Sequence, residues 1–151
     1  MKKKRNTDSN LWFSDETPIS EAEIRSAAKR LKVEFPAGFI QVASKYNGGS
    51  PDRNIFDAGE REECVFEYLL KFPEGFWEFY NAVKKRLPKN IFPFAIDPFG
   101  NAICFDYRQC DSDSGPKIVF WDHEAPPESE DSICFLAESF VAFVDNSLYA
   151  I

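Results

Sequence analysis

Apolar residues recur with helical spacing in two early segments of the chain. Within 20–31, the capping-box pattern Ser20-Glu21-Ala22-Glu23 precedes apolar residues spaced three and four positions apart. Within 36–46 the same spacing follows Pro36, and Asn47-Gly48-Gly49 comes directly afterwards. A capping box begins helices, proline suits their first turn, and Asn and Gly tolerate the positive φ at their ends. We therefore predict two short amphipathic helices followed by a reversal of the chain.

The middle of the chain changes from helical to extended patterning. Segments 53–56 and 64–70 are rich in residues that favour strands, and the acidic stretch 57–63 between them predicts a turn. Segment 76–87 returns to helical spacing, and Pro88 predicts its end.

A hairpin is predicted farther along the chain. Segments 91–96 and 102–107 flank Asp97-Pro98-Phe99-Gly100-Asn101, where proline presets a turn and glycine relieves it. Pro93 lacks a backbone N–H, so we expect an edge position or a bulge at that point.

The remaining elements complete the predicted fold. Segment 117–121 predicts a strand and 136–144 a closing helix, while 133–135 fits either a short strand or the first turn of that helix. The order predicts an α+β fold, with a mostly antiparallel mixed sheet and about four helices packed around it. We expect a basic tail and lead-in over 1–18 and one domain over 19–151.

Composition and charge narrow the class of protein. The 151 residues are 44% hydrophobic and carry a net charge of −7, even though Lys2-Lys3-Lys4-Arg5 is basic. Such a surface repels phosphate backbones and anionic lipids and attracts basic partners, so we expect no direct binding of nucleic acid or membrane. A signal peptide requires an apolar run after its basic start, and no such run is present here. We expect a cytoplasmic protein with reduced cysteines.

The side chains that could perform chemistry are scattered. Asp97 and Asp106 could approach each other across the hairpin, but a turn residue and a solvent-facing carboxylate explain them better. His123, the one histidine, lies between Asp122 and Glu124, whose side chains alternate on an extended chain and cannot converge on one ion. We therefore expect no metal, no cofactor and no catalysis.

Three acidic patches are the remaining candidates for function. Acidic loops usually serve solubility, but three on one small domain favour a basic protein partner. The last patch holds no lysine or arginine, and it continues into Glu130 and Asp131. The candidate partner-binding residues are Asp57, Glu60, Glu62 and Glu63; Asp106, Asp111 and Asp113; and Asp122, Glu124 and Glu128.

Four segments in order resemble the SUKH superfamily (Smi/Knr-like domains). The first is the pair of opening helices, with Phe35-Pro36 and Tyr46-Asn47-Gly48-Gly49. The second is the hairpin, with Phe94-Ala95-Ile96-Asp97-Pro98-Phe99-Gly100-Asn101 and Ile103-Cys104-Phe105-Asp106. The third is the strand end Val119-Phe120-Trp121-Asp122-His123-Glu124, and the fourth is 136–143. The resemblance spans about residues 19–146.

The resemblance implies a non-enzymatic domain that acts by binding. Bacterial members are commonly immunity proteins, encoded beside a secreted toxin whose C-terminal domain is often a nuclease or a deaminase. The implied function is that of an antitoxin that binds and occludes such a cognate toxin domain, encoded by a neighbouring gene. The alternative, suggested by the eukaryotic branch, is a regulatory interaction module in cell-envelope or stress signalling. The oligomeric state stays open.

Overall fold

The structure is a computed structural model that describes residues 9–110 and 115–151. Within these ranges it contains four helices and nine strands, and every strand pair is antiparallel, which confirms the predicted α+β class. In chain order the elements are β1 (Trp12–Phe13), α1 (Glu21–Arg30), α2 (Ala37–Lys45), β2 (Ser50–Pro51), β3 (Ile55–Ala58), β4 (Arg61–Val65), β5 (Tyr68–Leu69), α3 (Glu74–Val83), β6 (Ile91–Ile96), β7 (Ala102–Asp106), β8 (Lys117–Trp121), a 3₁₀ turn (Glu130–Ser132), β9 (Ile133–Ala137), α4 (Phe140–Ala142) and a π-helical turn (Phe143–Ser147).

The first two helices form as predicted. The Ser20 hydroxyl accepts a hydrogen bond from the Glu23 backbone N–H (3.2 Å) and so caps α1. After α2, Gly48 lies in the left-handed region at φ 69°, where the chain reverses. None of the helices in the described ranges is both long and apolar enough to cross a bilayer.

The main sheet has five strands in the order β5-β6-β7-β8-β9. The predicted hairpin is confirmed, with Ile96 opposite Ala102 and Ile91 opposite Asp106. The register shifts between Pro93 and Ala95, which is the bulge that the proline predicted. On the other side of β6, β5 pairs with Ala95 and Ile96, so the missing N–H of Pro93 breaks no hydrogen bond there.

Both faces of this sheet carry buried side chains. On one face Ile103 and Phe105 join the main core, which α1, α2 and α4 also enter. On the other face Cys104 and Trp121 pack in a smaller cluster with residues from the end of α3 and the turn that follows it. The main core is built on rings, and the fully buried Phe39 contacts five of them at centroid distances of 5.0–6.2 Å.

The acidic turn at 57–63 and the strand at 64–70 differ from their predictions. The turn is tighter than expected, because β4 begins at Arg61 and pairs back onto β3. The predicted strand is split, since β4 ends at Val65 and β5 begins at Tyr68 in another sheet. Burial of Phe66 in the main core between them redirects the chain.

The start of the closing helix is also corrected. The pattern placed 136–144 in a helix, but Leu136 and Ala137 belong to β9, where Ala137 pairs with Ile118 of β8. The helix begins only at Phe140, where the Ser139 hydroxyl accepts the Ala142 N–H (3.1 Å) as its cap. The open alternative at 133–135 is thereby decided in favour of a strand.

Part of the predicted lead-in packs against the domain. Trp12 is buried in the main core, and the Asn10 side-chain amide donates to the backbone carbonyls of Arg53 (2.8 Å) and Val144 (3.3 Å). The packed structure therefore reaches back to Asn10, whereas the pattern began the domain at Ile19. The basic run at 2–5 lies outside the described residues.

Candidate functional site

The turn between β6 and β7 is held together by one buried carboxylate. Asp97, 5% exposed, accepts hydrogen bonds from the backbone N–H groups of Phe99 (2.9 Å) and Asn101 (2.8 Å). It also accepts one from the Asn101 side-chain amide (2.8 Å). Asp97 therefore begins the turn, as predicted, and its carboxylate is occupied inside the protein.

The same turn fixes the loop that follows β8. The Asn101 amide nitrogen donates to Asp97, so the Asn101 Oδ1 faces His123. This oxygen accepts the His123 backbone N–H (3.1 Å) and lies 2.7 Å from the His123 Nδ1. This acceptor places the proton of the ring on Nδ1. Gly100, at φ 93°, packs so closely that a Cβ would lie 3.1 Å from the ring. His123 thus connects two loops, and no group of three metal-ligating side chains occurs within the described residues.

The β3–β4 hairpin reaches the same end of the sheet. The Arg61 guanidinium forms an ion pair with Asp122, and a Cβ on Gly59 would lie 3.2 Å from the Cys134 Sγ. Because Gly59 has φ 62°, both its conformation and this close approach favour glycine. Two acidic patches that are distant in sequence are therefore brought together.

We call this region the acidic end: the 57–63 hairpin, the 97–101 turn and the 122–131 loop. The hairpin and the loop carry nine carboxylates and one guanidinium. Seven of these carboxylates belong to exposed residues, which are Glu60, Glu62, Glu63, Glu124, Glu128, Glu130 and Asp131. A negatively charged surface produces an electric field in the surrounding solvent, and this field favours the approach of a basic partner.

Two predicted partner-binding residues at the acidic end have structural contacts. Asp57 accepts the Glu63 backbone N–H (3.2 Å) and the Tyr149 hydroxyl (2.6 Å). Asp122 accepts the Glu124 backbone N–H (2.9 Å) besides pairing with Arg61, and its side chain is 14% exposed. These carboxylates shape the surface, while their exposed neighbours present charge to solvent.

The second acidic patch does not join the acidic end. Asp106 lies at the opposite end of β7 from the turn, about 13 Å away at the rise of an extended strand. It binds Arg108 through both carboxylate oxygens (3.0 and 2.9 Å), so it is not the solvent-facing group that the pattern predicted. This hydrogen bonding raises the pKa of Arg108. Asp111 and Asp113 lie outside the described residues.

Sequence reasoning missed the main apolar feature of the acidic end. Phe99, at the tip of the 97–101 turn, is 73% exposed. Aromatic residues, phenylalanine included, are enriched in protein interfaces compared with the rest of the surface. A signal was present in the sequence, because a phenylalanine between the Pro and Gly of a tight turn has no core position to occupy.

The cysteines near the acidic end are poorly suited to nucleophilic chemistry. Burial raises the pKa of the Cys64 and Cys134 thiols, and the nearby Arg61 offsets this only in part. Burial also raises the pKa of Cys104 well above its ordinary value. All three are therefore protonated at neutral pH, and the thiolate is the reactive form.

The sequence of this chain matches a known family and a curated protein. The sequence model of the SMI1-KNR4 cell-wall family, a SUKH model, matches residues 21–144. The SPbeta prophage-derived uncharacterized protein YokK of Bacillus subtilis (strain 168) is 38% identical over 144 residues, covering 81% of this chain and 71% of that protein. The matched region runs from α1 into the closing helix and so includes the whole acidic end.

Proposed function

Because this chain belongs to the SMI1-KNR4 (SUKH) family, which includes immunity proteins, we propose that it is an immunity protein that binds and occludes a toxin domain. The toxin is a basic nuclease or deaminase domain encoded by a neighbouring gene, and the immunity protein acts in the cytoplasm without catalysis. The acidic end is the proposed contact surface.

The observation that carries this proposal is the meeting of two acidic loops beside the turn that exposes Phe99. The Arg61–Asp122 pair and the His123–Asn101 contact hold these loops in place before any partner arrives. A preformed acidic surface associates rapidly with a cleft that binds nucleic acid, since such a cleft is positively charged. An exposed ring can then fill an apolar recess and slow dissociation.

Co-expression is the decisive experiment. The C-terminal domain encoded by the gene immediately upstream is expressed alone and together with this chain, and survival and co-purification are scored. We expect the domain to kill cells alone and to form a stable complex when both are present. If the domain is toxic and this chain, although folded, neither protects nor binds, the regulatory interaction module in cell-envelope or stress signalling becomes the better function.

Charge reversal then maps the interface. Replacing Glu60, Glu62 and Glu63 by Lys should slow association by at least about tenfold and flatten its dependence on ionic strength. The matched control reverses three exposed carboxylates elsewhere, Asp15, Glu23 and Glu138. Equal association rates for the two triple variants would exclude this hairpin from the contact surface.

Truncation of the aromatic anchor tests the second part of the interface. Phe99→Ser should weaken the complex by about 2 kcal/mol, mainly through faster dissociation. Because the ring is 73% exposed, the free energy of unfolding should hardly change. An unchanged dissociation rate would show that the 97–101 turn lies outside the interface.

A further inference from the structure

A basic groove lies away from the acidic end. Two segments, 24–33 and 79–96, contain eight of the 18 lysines and arginines and no acidic residue. The fold brings them together around a groove of about 450 Å³. Its lining includes four cations and, among the described residues, no carboxylate; the cations are Arg30, Lys32, Lys84 and Lys89.

Aromatic rings form one wall of this groove. Trp77 and Tyr80 are half-buried on α3, with ring centroids 6.0 Å apart. The Arg30 guanidinium lies over the Trp77 ring, 3.9 Å from its centroid. A guanidinium held in this way offers a flat cationic surface on which a planar base can stack. The side-chain amides of Asn81 and Asn90 also line the groove and can bond the edge of a base.

One of the cations occupies a backbone position that glycine would fill more easily. Lys32 follows α1 in the left-handed conformation at φ 63°, and the Val33 N–H returns to the Ala28 carbonyl (3.0 Å). Glycine is the usual residue where a helix ends in this way. Lysine at this position therefore adds a charge to the lining of the groove at the expense of local conformational preference.

We propose that this groove binds a nucleotide. The base stacks on the Arg30–Trp77 pair, and the phosphates are held by Lys32, Lys84 and Lys89. Phosphates alone would need only the cations, whereas the rings and amides fit a base, and the volume suits a small ligand. The groove is separate from the acidic end, because Ile91 in its lining and Ile96 before the turn lie at opposite ends of β6, about 16 Å apart.

The test uses ADP as the probe, with pyrophosphate, adenosine and a short single-stranded oligoadenylate as comparisons. Binding is followed by calorimetry and by quenching of tryptophan fluorescence. Trp77 lines the groove and is the tryptophan that a bound ligand can quench by contact, since Trp12 and Trp121 are buried. We expect ADP to bind saturably, more tightly than pyrophosphate or adenosine. A tighter oligoadenylate complex would identify the end of an RNA strand as the source of the nucleotide, and a weaker one a free nucleotide.

Lys32→Gly separates binding from folding. Glycine suits the left-handed position, so the melting temperature should be equal to or above that of the unchanged protein. ADP affinity should fall about tenfold, because a charged hydrogen-bond donor is lost. The double variant Lys84→Glu with Lys89→Glu should abolish binding. The control Lys45→Ala, at the end of α2, should bind ADP normally.

Three results would overturn the proposal. The first is no saturable ADP binding at millimolar concentration. The second is binding that Lys32→Gly and the double variant leave unchanged. The third is pyrophosphate binding as tight as that of ADP, since the rings would then contribute nothing.

Discussion

Two turns at the acidic end use their carboxylates in opposite ways. In the 97–101 turn, Asp97 is buried and accepts three hydrogen bonds from within the turn. In the 57–63 hairpin, Glu60, Glu62 and Glu63 are exposed. In the first turn the carboxylate stabilises the fold and an apolar ring is exposed, whereas in the second the carboxylates themselves are exposed to solvent. The comparison shows that burial and internal hydrogen bonding, and not residue type, distinguish a carboxylate that supports the fold from one that is exposed to solvent.

The largest effect is expected where the carboxylate is structural. Asp97→Ala should lower the free energy of unfolding by about 3 kcal/mol, because it leaves several buried donors without an acceptor. Denaturant titration measures this value. Asp97→Asn retains one acceptor and should lose less, and a loss below about 1 kcal/mol for the alanine variant would contradict the structural role.

An intermediate effect is expected at Asp57, which belongs to the exposed hairpin but is bonded internally. Tyr149→Phe removes the hydroxyl that Asp57 accepts and should lower the free energy of unfolding by about 1–2 kcal/mol at neutral pH. Burial, and then the hydrogen bond to Asp57, raises the pKa of Tyr149 to about 12, compared with about 10 when unfolded.

The pH dependence of this variant follows from that shift. A raised pKa means that the fold favours the neutral tyrosine, so the stabilisation is complete below about pH 10 and is lost as the pH rises towards 12. The difference in unfolding free energy between the unchanged protein and Tyr149→Phe should therefore be constant up to about pH 10 and then narrow. A difference that is the same at pH 8 and at about pH 12 would contradict this contact.

A smaller effect of opposite sign is expected at Glu63. This residue has φ 57° at the bulge of β4, a conformation that glycine adopts more readily. Glu63→Gly should raise the free energy of unfolding by about 0.5–1 kcal/mol and still weaken partner binding. Thermal unfolding measures the gain, and destabilisation would show that the glutamate side chain supports the hairpin.

The smallest effect on stability is expected for the exposed carboxylates. Glu60→Gln with Glu62→Gln should change the free energy of unfolding by less than about 0.5 kcal/mol, because both residues are exposed. Denaturant titration of this variant and of Asp97→Ala under the same conditions measures the loss of unfolding free energy in each. A loss as large as that of Asp97→Ala would remove the distinction between the two turns.

Local signals explain which parts of the fold could be predicted. Capping by Ser20 and the turn at 97–101 depend on residues a few positions apart, so their pattern is visible in the sequence. The strand at 133–137 is decided by pairing with β8, and the split at Phe66 by burial in the core. Neither distant contact leaves a periodic signal.

The sequence identified the acidic residues of the candidate site but not how the fold arranges them in space. The acidic residues were visible, yet the Arg61–Asp122 pair that joins two patches spans 61 positions in sequence. The pairing of Asp106 with Arg108 was a local signal that charge counting overlooked, since a carboxylate two residues from an arginine can be neutralised by it. The basic groove likewise required the fold, because its two segments are separate in sequence.

The attachment of Asn10 to the closing helix has a consequence for synthesis. The Asn10 backbone N–H donates to the Asp145 carboxylate (3.3 Å), a contact between residues 135 positions apart. At about 5–20 residues per second, about 7–27 s separate the appearance of these two residues. The core cannot close on a nascent chain until its last helix has left the ribosome. Chains that end before the closing helix therefore lack this contact and part of the main core, and we expect them to be unstable.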